Sequence, residues 1–316
     1  MKEAMKLVVP LFLLLLITAG CRFFKGDPYK NTPVSGFTTI AVDETFRPVM
    51  EAESDLFKAI YGYSEIKSRY LPEAGTFRLL MEDSVQLIVA SRKLRNDEIS
   101  FLNSRKLFPK QLLVALDAIA LIVHPSCKDS IMSMKQIREL LGGKITGWEQ
   151  LNSKNEKGYV RLLFDNEKSG IVAFLSDSVC RGNFVTGRAS ALHNSREVIE
   201  YTATHPGVIG FVGTSWISNS NDSLHLSFHK KIKVLSISES DLPSPENSYK
   251  PYQAYLLDHR YPLTRSVYLI NAEPRSGLSS GFVSFVSSDK GQRVILKSGI
   301  LPAVAPARIV NIRPNL

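Results

Sequence analysis

The sequence predicts an α/β protein whose sheets are mainly parallel. Strand-like runs, polar turns and helix-like runs alternate along most of the chain, which is the pattern of βαβ units. The first unit combines the strand-like run 36–42 with helical spacing of apolar residues in 49–60. A long apolar strand is predicted over 114–123. The 316 residues are enough for two domains with separate cores.

Composition and charge exclude some classes of protein. Hydrophobic residues make up 44% of the chain and charged residues 22%, as in ordinary globular proteins. The net charge of +9, from 39 Lys and Arg against 30 Asp and Glu, is spread along the whole length. Because there is no basic tail and no Lys/Arg cluster interleaved with aromatic residues, we expect no nucleic-acid partner. A basic surface suits an anionic small molecule instead.

The N-terminus has the pattern of a secretory signal peptide. A charged start precedes an apolar run, 7–17, which is too short for a transmembrane helix. The sequence Thr-Ala-Gly-Cys follows and resembles a bacterial lipobox, with Thr18 where Leu is usual. We therefore predict a signal peptide at 1–20, lipidation of Cys21 and a tether at 21–35. A plain signal peptide with an incidental cysteine is the alternative.

Two further cysteines, Cys127 and Cys180, remain after this lipidation. An exported protein can pair them, but the sequence does not show that their Cα atoms come close enough for a disulfide. Two free thiols are equally compatible with the sequence.

A polar turn between the strand-like run 159–164 and the helix-like run 171–179 is the first candidate binding element. Ser169 stands where an N-cap is expected, and Gly170 allows close approach to the backbone. A helix start with unpaired N–H groups favours an anion, although an ordinary strand-to-helix turn would look the same. Comparable polar positions follow other predicted strands, where α/β proteins bind ligands. These positions are Thr45, Gly75, Thr76, Ser91 and Arg92.

The sequence offers no signature of an enzyme or of a metal site. The patterns G-x-S-x-G, H-E-x-x-H and the P-loop are absent, so we predict no catalytic residue and no cofactor. His225 and His229 lie in a run that alternates like a strand, which would place them on one face but well apart. No cysteine or carboxylate accompanies them, so a metal ion is not predicted there.

Four segments resemble the phosphate-binding proteins of ABC importers, in their bacterial lipoprotein form. The segments lie in the same order as in that family and span most of the chain. In this sequence they are 142–148 (GGKITGW), 206–213 (PGVIGFVG), 261–265 (YPLTR) and 281–299, which begins with Gly-Phe and ends with Ser-Gly.

The resemblance implies a two-lobe, periplasmic-binding-protein-like fold of type II. Each lobe would be a mainly parallel sheet flanked by helices, and the ligand would lie in the cleft between the lobes. Lobe one would comprise residues 36–116 and 214–316, and lobe two residues 117–213.

The resemblance also implies binding residues in several loops. Thr45 and Phe46 match the first loop of the family, which contacts the ligand through a hydroxyl and a backbone N–H. Gly75 and Thr76 lie in the second loop, where the family's Ser is missing and Glu73 adds a negative charge.

In the other two loops the charged residues of the family are exchanged. Ser91 and Arg92 stand where the best-known members have Ser-Asp. Ser169 and Gly170 match the Ser-Gly of R-x-x-x-S-G-T, in which Asp165 here replaces the Arg. Arg92 could hold an oxyanion, and Asp165 could accept a proton from a protonated phosphate, which sulfate cannot offer. Alternatively, these two residues pair with each other across a closed cleft.

The expected function is that of an exported solute-binding lipoprotein, not an enzyme. It would capture inorganic phosphate as a lipid-anchored monomer in the cell envelope, in a periplasmic or other extracytoplasmic position, and deliver it to an ABC permease. The alternative is a sensory or interaction lipoprotein with the same fold that binds another ligand or none. Glu73, Asp165 and Ile171 motivate this alternative because they depart from the family's usual site.

Overall fold

A computed structural model describes residues 30–152, 158–184, 189–218 and 231–304, which form a mixed α/β fold. The strands are β1 (Gly36–Asp43), β2 (Ser64–Leu71), β3 (Leu87–Ala90), β4 (Lys110–Val123), β5 (Ile131–Ser133), β6 (Arg161–Phe164), β7 (Ala189–Ala191), β8 (Val208–Gly213), β9 (Lys233–Val234), β10 (Ser236–Ser238), β11 (Thr264–Asn271) and β12 (Leu301–Pro302). The helices are α1 (Arg47–Ile60), α2 (Glu73–Met81), α3 (Asn96–Ser104), α4 (Met134–Leu141), α5 (Trp148–Leu151), α6 (Gly170–Phe174), α7 (Ser195–Thr204), α8 (Ser215–Ser218), α9 (Gln253–Leu257), α10 (Leu278–Val286) and α11 (Asp289–Lys297).

Within the described ranges, one sheet path runs in the order β2-β1-β3-β11-β4-β8-β6-β7. Strands β2, β1 and β3 pair in parallel at one end, and β8, β6 and β7 do so at the other. Strands β11 and β4 run antiparallel between them. Residues 110–118 of β4 pair with β11, and residues 119–123 pair with β8. We call the two ends of this path the first and the second half-sheet, and β4 joins them.

Both half-sheets are buried on both faces, which explains why their central strands are apolar at successive positions. In β1, Ile40 and Val42 join a core with α1 and α10, whereas Ala41 joins the core on the opposite face. In β4, Leu121 and Ile122 divide in the same way between the two cores of the second half-sheet. The predicted α/β fold, with helices flanking mainly parallel sheets, is confirmed.

Helix α2 begins earlier than the sequence predicts. The Pro- and Gly-containing stretch 71–76 predicts a turn, with a helix that begins only at Phe77. In the structure the helix already begins at Glu73, with Pro72 as its N-cap. The Thr76 hydroxyl supports this early start by donating to the Glu73 carbonyl oxygen at 2.8 Å. Gly75 and Thr76 therefore lie in the first turn of a helix and not in a free loop.

The C-terminal helical pattern is divided into two helices. Apolar spacing predicts one helix over 281–297, whereas the structure breaks it between α10 and α11. Ser288 begins the second helix because its Oγ accepts the Gly291 N–H at 3.5 Å. A local cap therefore overrides the continuous apolar periodicity.

The structure answers the sequence's open question about Cys127 and Cys180, whereas other predicted features lie outside the described residues. Cys127 and Cys180 are free thiols, so they form no disulfide, and burial raises the pKa of both. Among the described helices, none has the length and apolar character needed to cross a bilayer. Cys21, His225 and His229 lie outside the described residues.

Glu53 is a buried side chain on α1, and neither of its carboxyl oxygens has a hydrogen-bond partner among the described residues. Burial raises its pKa from 4.5 to about 9. Folding therefore takes up a proton near neutral pH, and stability falls as the pH rises from 4.5 towards 9. We expect Glu53→Gln to raise the free energy of unfolding by about 2 kcal/mol at pH 8 and to have little effect at pH 4.5. Urea denaturation at the two pH values measures this difference.

The matched control for Glu53 is Asp55→Asn, at an exposed position of the same helix. We expect this control to shift stability equally at both pH values. A Glu53→Gln protein no more stable than wild type at pH 8 would contradict the burial argument.

Candidate functional site

The loops that follow β1, β3 and β6 meet the start of α2 between the two half-sheets. A Cβ atom added to Gly170 would overlap the Asp43 carboxylate. It would also lie 3.0 Å from Ser91 Oγ and 3.2 Å from Glu73 Cδ. The start of α6, on the second half-sheet, therefore lies directly against strand ends of the first, and only glycine fits at that point. We call this meeting place the cleft.

Hydrogen bonds hold the half-sheets together beside the cleft. The Ala74 N–H donates to the Lys168 carbonyl oxygen at 3.3 Å. Glu44 Oε2 accepts from both the N–H and the Oγ of Ser195, at 3.2 and 3.0 Å. The structure thus has the cleft closed.

A buried ion pair lies at the base of the cleft, where β4 passes from β11 to β8. Arg265 donates to Asp117 Oδ2 through Nε at 3.1 Å and Nη2 at 2.9 Å, and the two residues are opposite each other in the strand register. Nη2 also donates to Thr45 Oγ1 at 2.9 Å, which fixes the loop after β1. Gly213 permits this close packing, because a Cβ there would lie 3.2 Å from Asp117 Oδ2.

The loop after β1 is wholly buried and is held by several hydrogen bonds. Asp43 Oδ1 accepts the Thr45 N–H at 3.2 Å, and the Ser215 hydroxyl donates to the Thr45 carbonyl oxygen at 3.3 Å. The Arg265 guanidinium lies 4.6 Å from the centre of the Phe46 ring. Because Phe46 is the N-cap of α1, these contacts also fix the position where that helix begins.

The facing loop carries Asp165 and Ser169. Ser169 is the N-cap of α6, as predicted, since its Oγ accepts the Val172 N–H at 3.3 Å. Asp165 directly follows β6 and is 1% exposed. The second half-sheet therefore presents a carboxyl group and a capped helix start to the cleft.

Burial raises the pKa of several carboxyl groups here. It raises the pKa of Asp165 to about 6, although the charge of Arg265 acts in the opposite direction. Burial, with the charge of Asp165, raises the pKa of Glu44 to about 7. The pKa of Asp43 lies well above its ordinary value, first through burial and then through the charge of Glu73. These carboxyl groups therefore keep protons at pH values where exposed ones have lost them.

Three buried polar atoms in the cleft have no hydrogen-bond partner within the described part of the chain: Arg265 Nη1, Asp43 Oδ2 and Asp165 Oδ1. The nitrogen is a donor, whereas a carboxyl oxygen accepts when ionised and can donate when protonated. Unsatisfied buried polar groups are costly, so a ligand that offers both acceptors and donors would be favoured. No three His, Cys, Asp or Glu side chains in the described ranges are grouped to hold a metal ion.

Arg92 lies next to the cleft with its guanidinium engaged elsewhere. It donates to Glu98 through Nη1 at 2.8 Å and Nη2 at 2.9 Å, and it covers the Phe77 ring at 3.6 Å. Within the described ranges, Arg92 thus forms its ion pair with Glu98 and not with Asp165. Of the predicted site residues, the structure brings together Thr45, Phe46, Ser91, Asp165, Ser169 and Gly170, while Gly75 and Thr76 belong to the first turn of α2.

Sequence reasoning did not select Asp117 and Arg265 as site residues. A signal was present, because Asp117 is the only charge in the apolar run 114–123. A lone charge in a buried strand needs a buried partner. Arg265 ends one of the family-like segments, directly before the apolar end of β11, and it is that partner.

The half-sheets joined by β4, with a polar cleft between them, have the architecture of a two-lobe solute-binding protein. The chain belongs to the PBP superfamily, whose domain model matches residues 27–290. The match covers both half-sheets and the cleft, so it includes every residue of the site described above.

Relatives and solved structures of similar fold carry the names of phosphate-binding proteins. The phosphate-binding protein PstS of Borreliella burgdorferi is 21% identical over 305 residues, covering 94% of this chain and 99% of the relative. PstS of Pseudomonas aeruginosa PAO1 is 24% identical over 296 residues, covering 89% and 86%. A phosphate ABC transporter substrate-binding protein of Clostridium perfringens, solved with bound phosphate, superimposes with a TM-score of 0.71 at 18% identity, covering 85% and 100%. The predicted resemblance to the phosphate-binding proteins of ABC importers is confirmed.

Proposed function

We propose that this protein captures inorganic phosphate in the cleft and passes it to an ABC permease. The observation that carries the proposal is a set of buried atoms that find no hydrogen-bond partner in residues 30–152, 158–184, 189–218 and 231–304: Arg265 Nη1, Asp43 Oδ2 and Asp165 Oδ1. A protonated phosphate can accept and donate hydrogen bonds, so it can satisfy all three atoms. Asp165, whose pKa burial raises to about 6, is mainly ionised near neutral pH and needs a donor. Sulfate has no proton to donate to it at that pH, so the site would reject sulfate. The names of the relatives support the same ligand.

An anion can bind beside these carboxyl groups because protonated carboxyl groups carry no negative charge and can donate hydrogen bonds. Asp117 already balances the charge of Arg265, so that cation alone cannot neutralise a phosphate. Protonated carboxyl groups, above all Asp43, would donate to the phosphate oxygens. The start of α1 and the Ser91 hydroxyl would add donors on the first half-sheet.

The proposed roles of the residues follow their positions. Gly75 and Thr76 would shape the start of α2, and Arg92 would hold the loop after β3 through Glu98. The direct contacts would come from Thr45, Phe46, Ser91, Asp165, Ser169 and Gly170, as the sequence predicts, together with Asp43 and Arg265.

The proposed lobes are residues 36–116 with 214–316, and residues 117–213. These boundaries fall beside Asp117 and Thr214, which are joined by a hydrogen bond from the Thr214 N–H to Asp117 Oδ1 at 3.2 Å. Bending there would open the cleft. Strands β9 and β10 pair with β4 and β5, so residues 233–238 would move with the second lobe. No covalent step is required of such a protein.

The proposed location is outside the cytoplasmic membrane. Removal of residues 1–20 would expose Cys21 for lipidation, and residues 21–35 would tether the folded body to the membrane beside its permease. The protein would act as a monomer.

A sensory or interaction lipoprotein that binds a different ligand is the second candidate. The buried carboxyl groups of Asp43, Glu73 and Asp165 favour it, because they are unusual neighbours for an anion. A ligand with more donors than phosphate would then bind best.

Protection against unfolding tests the proposal. We expect phosphate at one hundred times its dissociation constant to raise the free energy of unfolding by about 2.7 kcal/mol, because only the folded cleft binds it. Sulfate at the same concentration serves as the control for ionic strength and should protect far less. Equal protection by the two anions would contradict a specific phosphate site, and protection by neither would favour the second candidate.

A further inference from the structure

Glu73 takes the hydrogen-bond donors that an anion would use at the end of β3. Its Oε1 accepts both the Ser91 N–H at 2.5 Å and the Ser91 Oγ–H at 2.6 Å. A carboxylate oxygen and a phosphate oxygen are both anionic acceptors, so they compete for the same N–H and O–H donors. While Glu73 holds this position, Ser91 has no proton left for a ligand.

The same carboxyl group lies between the two half-sheets. Glu73 is only 3% exposed, and its Cδ is 3.2 Å from the place that a Cβ of Gly170 would take. The next residue of α2 makes the hydrogen bond from the Ala74 N–H to the Lys168 carbonyl oxygen across the cleft. The Glu73 carboxylate therefore fills space between Ser91 on one side and the start of α6 on the other.

The charge of Glu73 also acts on the groups around it. It helps to keep the proton on Asp43, whose Oδ2 lies against the same Gly170. The charged groups that interact with Glu73 across the cleft are Asp43 after β1 and Arg265 on β11, and Asp43 interacts in turn with Asp165 after β6. Arg265 is already paired with Asp117, so Glu73 has no counter-ion of its own among these groups.

We propose that the Glu73 carboxylate is a built-in competitor for the anion site, which holds the cleft closed in place of a ligand and which phosphate must displace from Ser91. This inference rests on the proposed function for the identity of the ligand. An internal group is present at a high effective concentration, so it sets an upper limit to affinity. The protein would then respond only when external phosphate exceeds the level needed to displace Glu73.

Replacing Glu73 tests the inference through two independent measurements. We expect Glu73→Ala to bind phosphate about 10-fold more tightly in calorimetric titration, because no internal group holds the site. Small-angle scattering should show the ligand-free variant expanded relative to wild type and compact again with phosphate. Wild type should change little on phosphate addition. Glu73→Gln, which keeps an acceptor oxygen but loses the charge, should bind with intermediate affinity.

The controls separate a local effect from general damage. Glu82→Ala removes an exposed carboxylate at the other end of α2 and should match wild type in both measurements. Glu73→Ser replaces the alanine variant if the latter does not fold, because a small polar residue leaves the helix start intact.

Three results would overturn the inference. They are equal phosphate affinity in wild type and Glu73→Ala, weaker binding by that variant, and an unchanged ligand-free radius of gyration. If no protein in the series binds phosphate, the proposed function fails. Small-angle scattering alone then tests whether Glu73 holds the cleft closed. An expanded ligand-free Glu73→Ala protein would then support the closing role of Glu73, and a radius equal to that of wild type would refute it.

Discussion

Arg265→Met is expected to abolish phosphate binding and to lower the free energy of unfolding by about 3–5 kcal/mol. The substitution leaves Asp117 as a fully buried charge without its partner, in a strand that joins the half-sheets. It also removes the donor to Thr45 Oγ1 and the buried Nη1, which has no hydrogen-bond partner in the part of the chain that the structure describes. Urea denaturation gives the change in stability, and calorimetric titration gives the change in affinity.

A second substitution separates these two effects. Asp117→Asn in the Arg265→Met background removes the stranded charge but keeps an oxygen for the Thr214 N–H. We expect the double variant to regain much of the stability while binding stays lost. Arg260→Met, on the exposed surface near β11, is the matched control and should behave like wild type. Wild-type phosphate affinity in Arg265→Met would refute the role given to Arg265.

Gly170→Ala is expected to weaken phosphate binding by about 100-fold while leaving the stability of the fold nearly unchanged. The added methyl group would overlap the Asp43 carboxylate and press on Ser91 Oγ, so the half-sheets could not approach as closely. Alanine is otherwise well suited to the start of a helix. Calorimetric titration measures the loss, and thermal unfolding checks the fold.

Gly62→Ala is the control for this effect. Gly62 lies in the turn between α1 and β2, where an added Cβ meets nothing within 4 Å. The Gly62→Ala variant should bind phosphate with the affinity of the wild-type protein. If Gly170→Ala also binds normally, closure against Gly170 is not needed for capture.

The sequence predicts the elements better than it predicts which side chains face the cleft. Alternation of apolar runs locates β1, α1 and β4, and local cap chemistry locates Ser169, because these signals depend on neighbouring residues. The Arg265–Asp117 pair depends instead on the register between strands far apart in the chain. The lone Asp117 indicates that a partner exists, but no local pattern identifies it as Arg265.

Arg92 is the opposite case from Arg265, because the sequence predicts it as a ligand-binding residue but its side chain pairs with Glu98. Its position after β3 predicts a place at the cleft, and Ser91 does lie there. The Arg92 side chain instead pairs with Glu98 on α3. Glu98 also accepts the Arg95 N–H at 2.7 Å and so caps the start of that helix. Arg92 could have pointed towards a ligand in the cleft or towards Glu98, and it pairs with Glu98. Sequence spacing alone does not predict which of these two directions the side chain takes.

The most direct test of the central claim is a calorimetric titration of residues 22–316, stripped of ligand by partial unfolding and refolding, first with phosphate and then with sulfate. We expect saturable, one-to-one binding of phosphate and no heat of binding with sulfate. Silence for both anions in a folded sample would contradict phosphate capture, and the closed cleft between the half-sheets would then need another ligand.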